Sequence, residues 1–219
     1  HIHINPESKY KNVFDLTNAL DKEYKTFALT GPFGAGKTFI TNLLAGTGLM
    51  SGETVHTLGI SIYLKQLIAF IDTAGSGNPV KMDADAILDR RLTDFYIEEV
   101  VKDTAQGHIH VVNRMTNLIE EKLMSLMRQT DEYILIIHNL RNVKTLSEAK
   151  EALKRDIEEV FPEAKIEPDE LTGCVFYKSR NAVHFIYAEE ATEAGNFYNK
   201  KTTEKILSYI SNMNMKKQE

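Results

Sequence analysis

Four apolar runs of strand length punctuate the chain: "FALT" ending at Thr30, "AFID" at Asp72, "LIIH" at His138 and "FIYA" at Ala188. Between them lie longer segments whose apolar residues recur at helical spacing. A run that is apolar throughout suits an inner strand covered on both faces, and parallel neighbours need a crossover, usually a helix. The expected fold class is therefore α/β: a mostly parallel six-stranded sheet with helices on both faces, plus an extra hairpin before the last strand. Ligands of such sheets bind at the carboxyl ends of the strands, so the residues just after the four runs are where function is expected.

The pattern assigns the rest of the chain. "KTFALT" (25–30) reads as a strand, and "TFITNLLAG" (38–46) as a helix with Phe39, Ile40, Leu43 and Leu44 on one side. "TLGISIYL" (57–64) and "QLIAFID" (66–72) read as adjacent strands joined by a tight turn near Lys65. A long helix over 83–103 would carry Ile87, Leu88, Leu92, Phe95 and Val100 as its apolar side. Then come a strand at 108–113, a helix at 116–129, a strand at 133–138 and a helix at 145–161. A hairpin over 174–188 turns near Asn181, and a last helix covers 196–213. Only 161–173 looks like a linker, so one domain is expected over 25–215 behind an N-terminal extension, 1–24.

Composition narrows the function classes. The net charge of −5, with both signs interspersed, argues against a nucleic-acid-binding face. The single cysteine, Cys174, excludes an intrachain disulfide and fits a reducing compartment. No stretch reaches the roughly 20 apolar residues of a membrane span. The chain opens on His1 and shows no signal-peptide pattern there, so a cytoplasmic location is expected.

The first of the four loops is "GPFGAGKT", which fits G-x-x-x-x-G-K-[ST] as Gly31, Gly36, Lys37 and Thr38. Glycines let successive backbone N–H groups turn inward toward phosphate oxygens, and the following helix adds its positive end. On this reading Gly31, Gly34, Ala35, Gly36, Thr38 and Phe39 line the phosphates, Lys37 reaches the β- and γ-phosphates, and the Thr38 hydroxyl ligates magnesium. A strand-to-helix turn with a surface lysine is the plainer alternative.

The loop after the second run is "DTAG". Asp72 at the end of a buried strand could hold a magnesium-bound water, and the Gly75 N–H could meet the γ-phosphate. Between the two loops lies the polar, glycine-flanked "SGETVHTLGIS". A threonine there could add a second hydroxyl to magnesium when a γ-phosphate is present, as in an order–disorder switch. Thr57, at the strand boundary, is preferred to Thr54.

This order of phosphate loop, switch threonine, D-x-x-G and two further strand–helix units resembles a P-loop GTPase of the Ras-like, translation-factor-related class. "GKTFITNLLAG" and "VHTLGI" are similar to the large GTPases of the guanylate-binding and atlastin type, within the dynamin-like group. The resemblance spans 25–215 in order of elements and about 30–75 in close sequence. It implies binding and hydrolysis of GTP with magnesium, and dimerisation across the nucleotide or an activating protein.

The base-reading motif of such domains, N-K-x-D, would follow the third run, where this chain has Asn139, Leu140, Arg141 and Asn142. Guanine offers two donors, which a carboxylate accepts together; the Asn142 amide has one acceptor and one donor and suits half of that edge. Weakened guanine selectivity is expected unless Glu189 or Glu190 supplies a carboxylate. Ala188 falls where the family places S-A-K, whose alanine N–H contacts the base.

The usual accelerators of hydrolysis are missing. The phosphate-loop arginine of guanylate-binding proteins corresponds to Gly34, and the water-orienting glutamine of Ras-like enzymes to Ser76. Slow intrinsic turnover is expected. Arg90 and Arg91 could serve in cis or trans, though solvated helix charges are the commoner role; His56, beside Thr57, is a further candidate. The "HIH" triplets at 1–3 and 108–110 lack an evident third metal ligand, so packing positions are expected. The leading expectation is a slow GTPase switch. A catalytically weak pseudo-GTPase, an NTPase of relaxed base specificity, and an ATPase or nucleotide kinase remain as alternatives.

Overall fold

The computed structural model of the protein describes residues 2–3, 24–48, 60–73, 84–114, 134–169, 174–179 and 182–213. It is α/β, with two compact units: residues 1–108 with 214–219, and residues 109–213.

In the first unit, β1 (Ile2–His3), β2 (Lys25–Thr30), β3 (Ile60–Lys65) and β4 (Ile68–Thr73) line up in the order β1-β3-β4-β2. β2 and β4 run parallel, with Leu29 opposite Asp72. β3 and β4 form the expected antiparallel hairpin, whose turn places Gln66 at φ 54. Residues 2–3, expected in an extension, pair parallel with β3.

Phe27, Ala28 and Leu29 are all fully buried, as a strand covered on both faces requires. α1 (Lys37–Ala45) packs on β2, β3 and β4. α2 (Ala84–Thr104) covers Ala28 and Ile71 with Val101 and Ala105, and Ile97 packs alongside.

α2 corrects one expectation. Of its expected apolar side, Leu88, Leu92, Phe95 and Val100 are exposed. The inward stripe is instead Ile87, Arg90, Asp94, Ile97, Val101 and Ala105, the less exposed positions at spacings of three and four. Two charged residues on that stripe make its periodicity weaker than that of the solvent side.

In the second unit, β5 (Gly107–Val112), β6 (Ile134–Leu140), β7 (Lys165–Asp169), β8 (Cys174–Ser179) and β9 (Ala182–Ala188) follow the order β5-β6-β9-β8-β7. The first three are parallel; β8 and β7 are added antiparallel. The described residues thus hold nine strands rather than six, mixed in direction. β7 lies inside the stretch expected to be a linker. Its "KIEPD" has no apolar alternation, and Pro168 is tolerated because the strand ends the row.

α3 (Leu146–Leu153) stops short of the expected 161 and continues as a π-helical turn, Lys154–Glu158. Thr145 caps it through a reciprocal pair: the Glu148 N–H donates to Thr145 Oγ1 at 3.2 Å, and the Thr145 N–H to Glu148 Oε2 at 3.1 Å. α4 (Glu193–Asn212) starts three residues before its apolar pattern because Thr192 caps it. α3 and the π-turn pack on the β9 face that carries Ile186 and Ala188. α4 covers the other face, with Tyr209 on Phe185 and the hydroxyls of Tyr187 and Thr203 at 2.9 Å. Helices therefore cover both faces of this sheet. The expected helix 116–129 and the turn at Asn181 lie outside the described residues.

Candidate phosphate-binding site

The loop between β2 and α1 folds as its glycines allow. Gly34 and Gly36 have φ 71 and φ 91, a region that side-chain-bearing residues rarely enter. Gly36 is the N-cap of α1, with no side chain capping the helix and no acidic residue in its first turn. A helix start with no capping side chain and no acidic residue leaves its positive pole to an anion.

Lys37 opens the helix and folds back over the loop. Its Nζ donates to Gly31 O at 3.2 Å and Pro32 O at 3.1 Å. The ammonium is therefore held where the loop backbone curls, although the side chain is 6% exposed. Burial pushes it down to about 8; the Asp72 carboxylate pulls it back up, and the Arg90 guanidinium adds to the depression.

The next residue brings the two expected metal ligands together. Thr38 Oγ1 donates to Asp72 Oδ2 at 3.0 Å, joining the first turn of α1 to the carboxyl end of β4. Asp72 is 1% exposed, and burying a carboxylate is costly unless something compensates its charge. Thr73 braces the same strand end, donating from Oγ1 to Leu29 O at 2.8 Å. A hydroxyl and a carboxylate side by side suit magnesium, which takes one or two protein oxygens and leaves its other positions to phosphate and water. Among the described residues no three His, Cys, Asp or Glu side chains gather into a metal cluster.

Arg90 was only a secondary sequence candidate. It lies on the inward stripe of α2, with Nη2 at 2.7 Å from Asp94 Oδ1 and 16% of the side chain exposed. Arg91 is exposed. Thr54, His56, Thr57, Gly75 and Ser76 lie outside the described residues.

The base-motif residues lie in the second unit. Asn139 is buried within β6, and Asn142 is exposed in the turn that follows. Leu140 pairs with Ala188, so the loops after β6 and β9 leave the sheet side by side. The Glu189 N–H donates to Val143 O at 3.1 Å, and its carboxylate lies 3.8 Å from Lys144 Nζ.

The Ala188 N–H donates to Asn199 Oδ1 at 2.9 Å, while Asn199 Nδ2 donates to Ala188 O at 3.0 Å. Asn199 was missed: nothing in its sequence surroundings signals that the second turn of α4 returns to the end of β9.

No known protein-family profile matches the chain. A heat shock protein of Dictyostelium discoideum is 30% identical over an aligned span of 220 residues, covering 88% of this chain and 33% of that protein. The chain thus spans about a third of the length of that curated relative. Among solved structures it is similar to a probable GTP-binding protein engB, at 11% identity and TM-score 0.47, over 84% of this chain and 99% of that one. It is similar to the GDP-bound RocCORdC of Methanosarcina barkeri Roco2, at 14% and 0.49, over 88% and 50%. A third is the small GTPase Arl6 of Trypanosoma brucei with bound GppNp, at 17% and 0.43, over 85% and 94%. No helix among the described residues is long and apolar enough to cross a membrane.

Proposed function

We propose that the protein grips the phosphate tail of a guanine nucleotide with magnesium, through residues 31–38 and Asp72, and hydrolyses GTP slowly. The observation that carries this reading is the 3.0 Å contact between Thr38 Oγ1 and Asp72 Oδ2, beside a lysine folded over a glycine loop. These three side chains come from two elements, and each is the residue type its role demands.

Lys37 would leave the Gly31 and Pro32 carbonyls for the β- and γ-phosphate oxygens, exchanging neutral acceptors for charged ones. Thr38 and Asp72 would hold magnesium, which when bound neutralises charge between the outer phosphates. Thr57 and Gly75 are assigned to the γ-phosphate on sequence alone. Turnover in this chemistry is mainly positioning and charge stabilisation, so Gly34 and Ser76 at the accelerator positions support slow hydrolysis.

The guanylate-binding and atlastin likeness belongs to this reading. So do a homodimer across the nucleotide face, or an activating protein, as a source of acceleration. So does a cytoplasmic location. A second reading, relaxed base choice, is favoured by the half-complementary Asn142 and by the engagement of the Ala188 N–H with Asn199.

Calorimetry with GTP, GDP, ATP and XTP plus magnesium is the test. Wild-type protein binds triphosphates; Lys37→Ala weakens them roughly 100-fold, and Thr38→Ala removes the gain that magnesium gives. Uptake of no nucleotide by the folded wild type would end the proposal.

A further inference from the structure

α2 carries a cation that the phosphate-loop motif does not include. Three observations place it. First, the register is fixed at the far end of the helix: Thr26 Oγ1 donates to Thr104 O at 2.9 Å, and the Gln106 N–H to Thr26 O at 2.9 Å. Val101 and Ala105 then pack on Ala28 and Ile71, so the helix runs back along the strands as β2 runs forward.

From Thr104 to Arg90 is fourteen residues, about 21 Å of helix. β2 advances only about 13 Å from Thr26 to its end at Thr30, at roughly 3.3 Å per residue, so Arg90 lies past the carboxyl end of the strand, toward the loop that follows. That end is where Lys37 Nζ meets the Gly31 and Pro32 carbonyls.

Second, Arg90 and Asp94 continue the sheet-facing stripe of Ile97, Val101 and Ala105, so the guanidinium sits on the inward side of the helix. Third, Arg90 and Asp72 are the charges felt at the Lys37 ammonium. Two inward cations that act on one another gain from a further anion placed between them.

Resting on the nucleotide reading above, we infer that Arg90 is a second cation of the phosphate site, held by Asp94 until its guanidinium pairs with the terminal phosphate of a bound nucleoside triphosphate. The planar fork, which reaches Asp94 through Nη2, can instead take two phosphate oxygens. Asp94 is the positioning residue: it neutralises Arg90 and keeps it inward while the site awaits its ligand. Arg91, one position round the helix, is exposed and has no such part.

The test is the ratio of GTP to GDP affinity with magnesium, measured by calorimetry on wild type, Arg90→Ala, Arg90→Gln, Arg90→Lys, Asp94→Ala and Arg91→Ala. Arg90→Ala and Arg90→Gln lower GTP affinity about tenfold and move GDP affinity less than twofold; Arg90→Lys recovers part of the loss. Asp94→Ala keeps or strengthens GTP binding, because it breaks the ion pair but leaves the guanidinium. Arg91→Ala leaves the ratio unchanged. Arg90→Gln retains the packing of the stem should the alanine variant fold poorly.

A wild-type ratio in folded Arg90→Gln overturns the assignment while leaving the nucleotide reading intact. An equal loss in Asp94→Ala also overturns it, by showing that the ion pair merely stiffens the helix. Absence of nucleotide binding in the wild type overturns both.

Discussion

Lys37 is placed by backbone carbonyls rather than by an acid: two main-chain oxygens hold its ammonium over the loop that made the lysine necessary. Such acceptors are neutral, so a phosphate can displace them without breaking an ion pair. Asn142, exposed in the turn after β6, carries an amide where the proposed base site would call for a carboxylate. Asn142→Asp should raise the preference for GTP over XTP by roughly tenfold, since each mismatched donor or acceptor at a base edge costs about 1–3 kcal/mol. Competition between the two nucleotides reads this directly; an unchanged ratio removes residue 142 from base recognition.

The first turn of α4 is set by Gly195. A Cβ there would lie far inside van der Waals contact with the Glu189 carbonyl, where the chain leaves β9. Gly195→Ala should therefore destabilise the protein by about 1–3 kcal/mol, although alanine is the better helix former by about 1 kcal/mol. A urea midpoint shifted downward checks this; an upward shift would mean that helix propensity wins. The inner strands β2, β4, β6 and β9 were legible because burial on both faces leaves unbroken apolar runs. The nearness of Thr38 and Asp72 was legible because both were read at the ends of neighbouring strands, one opening a helix and one closing a buried run. β7 was not, since an end strand with charges and a proline reads as loop. Nor was the inward side of α2, where Arg90 and Asp94 occupy core-facing positions and leave the exposed Leu88, Leu92 and Val100 to mimic a buried face. The Asn199 clamp on Ala188 joins residues whose nearness arises only in three dimensions.

At the scale of the molecule, the second unit carries a buried titration. His138 Nε2 lies 3.2 Å from His184 Nδ1, and the Phe161 ring packs on His184. Burial pushes His138 down to about 4, partly opposed by the Asp156 carboxylate, and burial also lowers His184. The unfolded chain takes up its proton first, near the ordinary 6.5, so stability is complete above that pH and falls as acid is added toward 4. For His138 the loss should be about 3 kcal/mol across that window. Urea midpoints recorded from pH 7 to 4 should show the slope, and the double variant His138→Leu, His184→Leu should flatten it. A wild-type stability independent of pH over this range would show that the pair titrates normally. β7 ends the row beyond β8, where Pro168 offers no amide and Lys165 stands exposed. A border so blunted is a poor template for a stranger's strand, so crowded or freshly made copies of this protein gain protection against stacking into fibrils along that side.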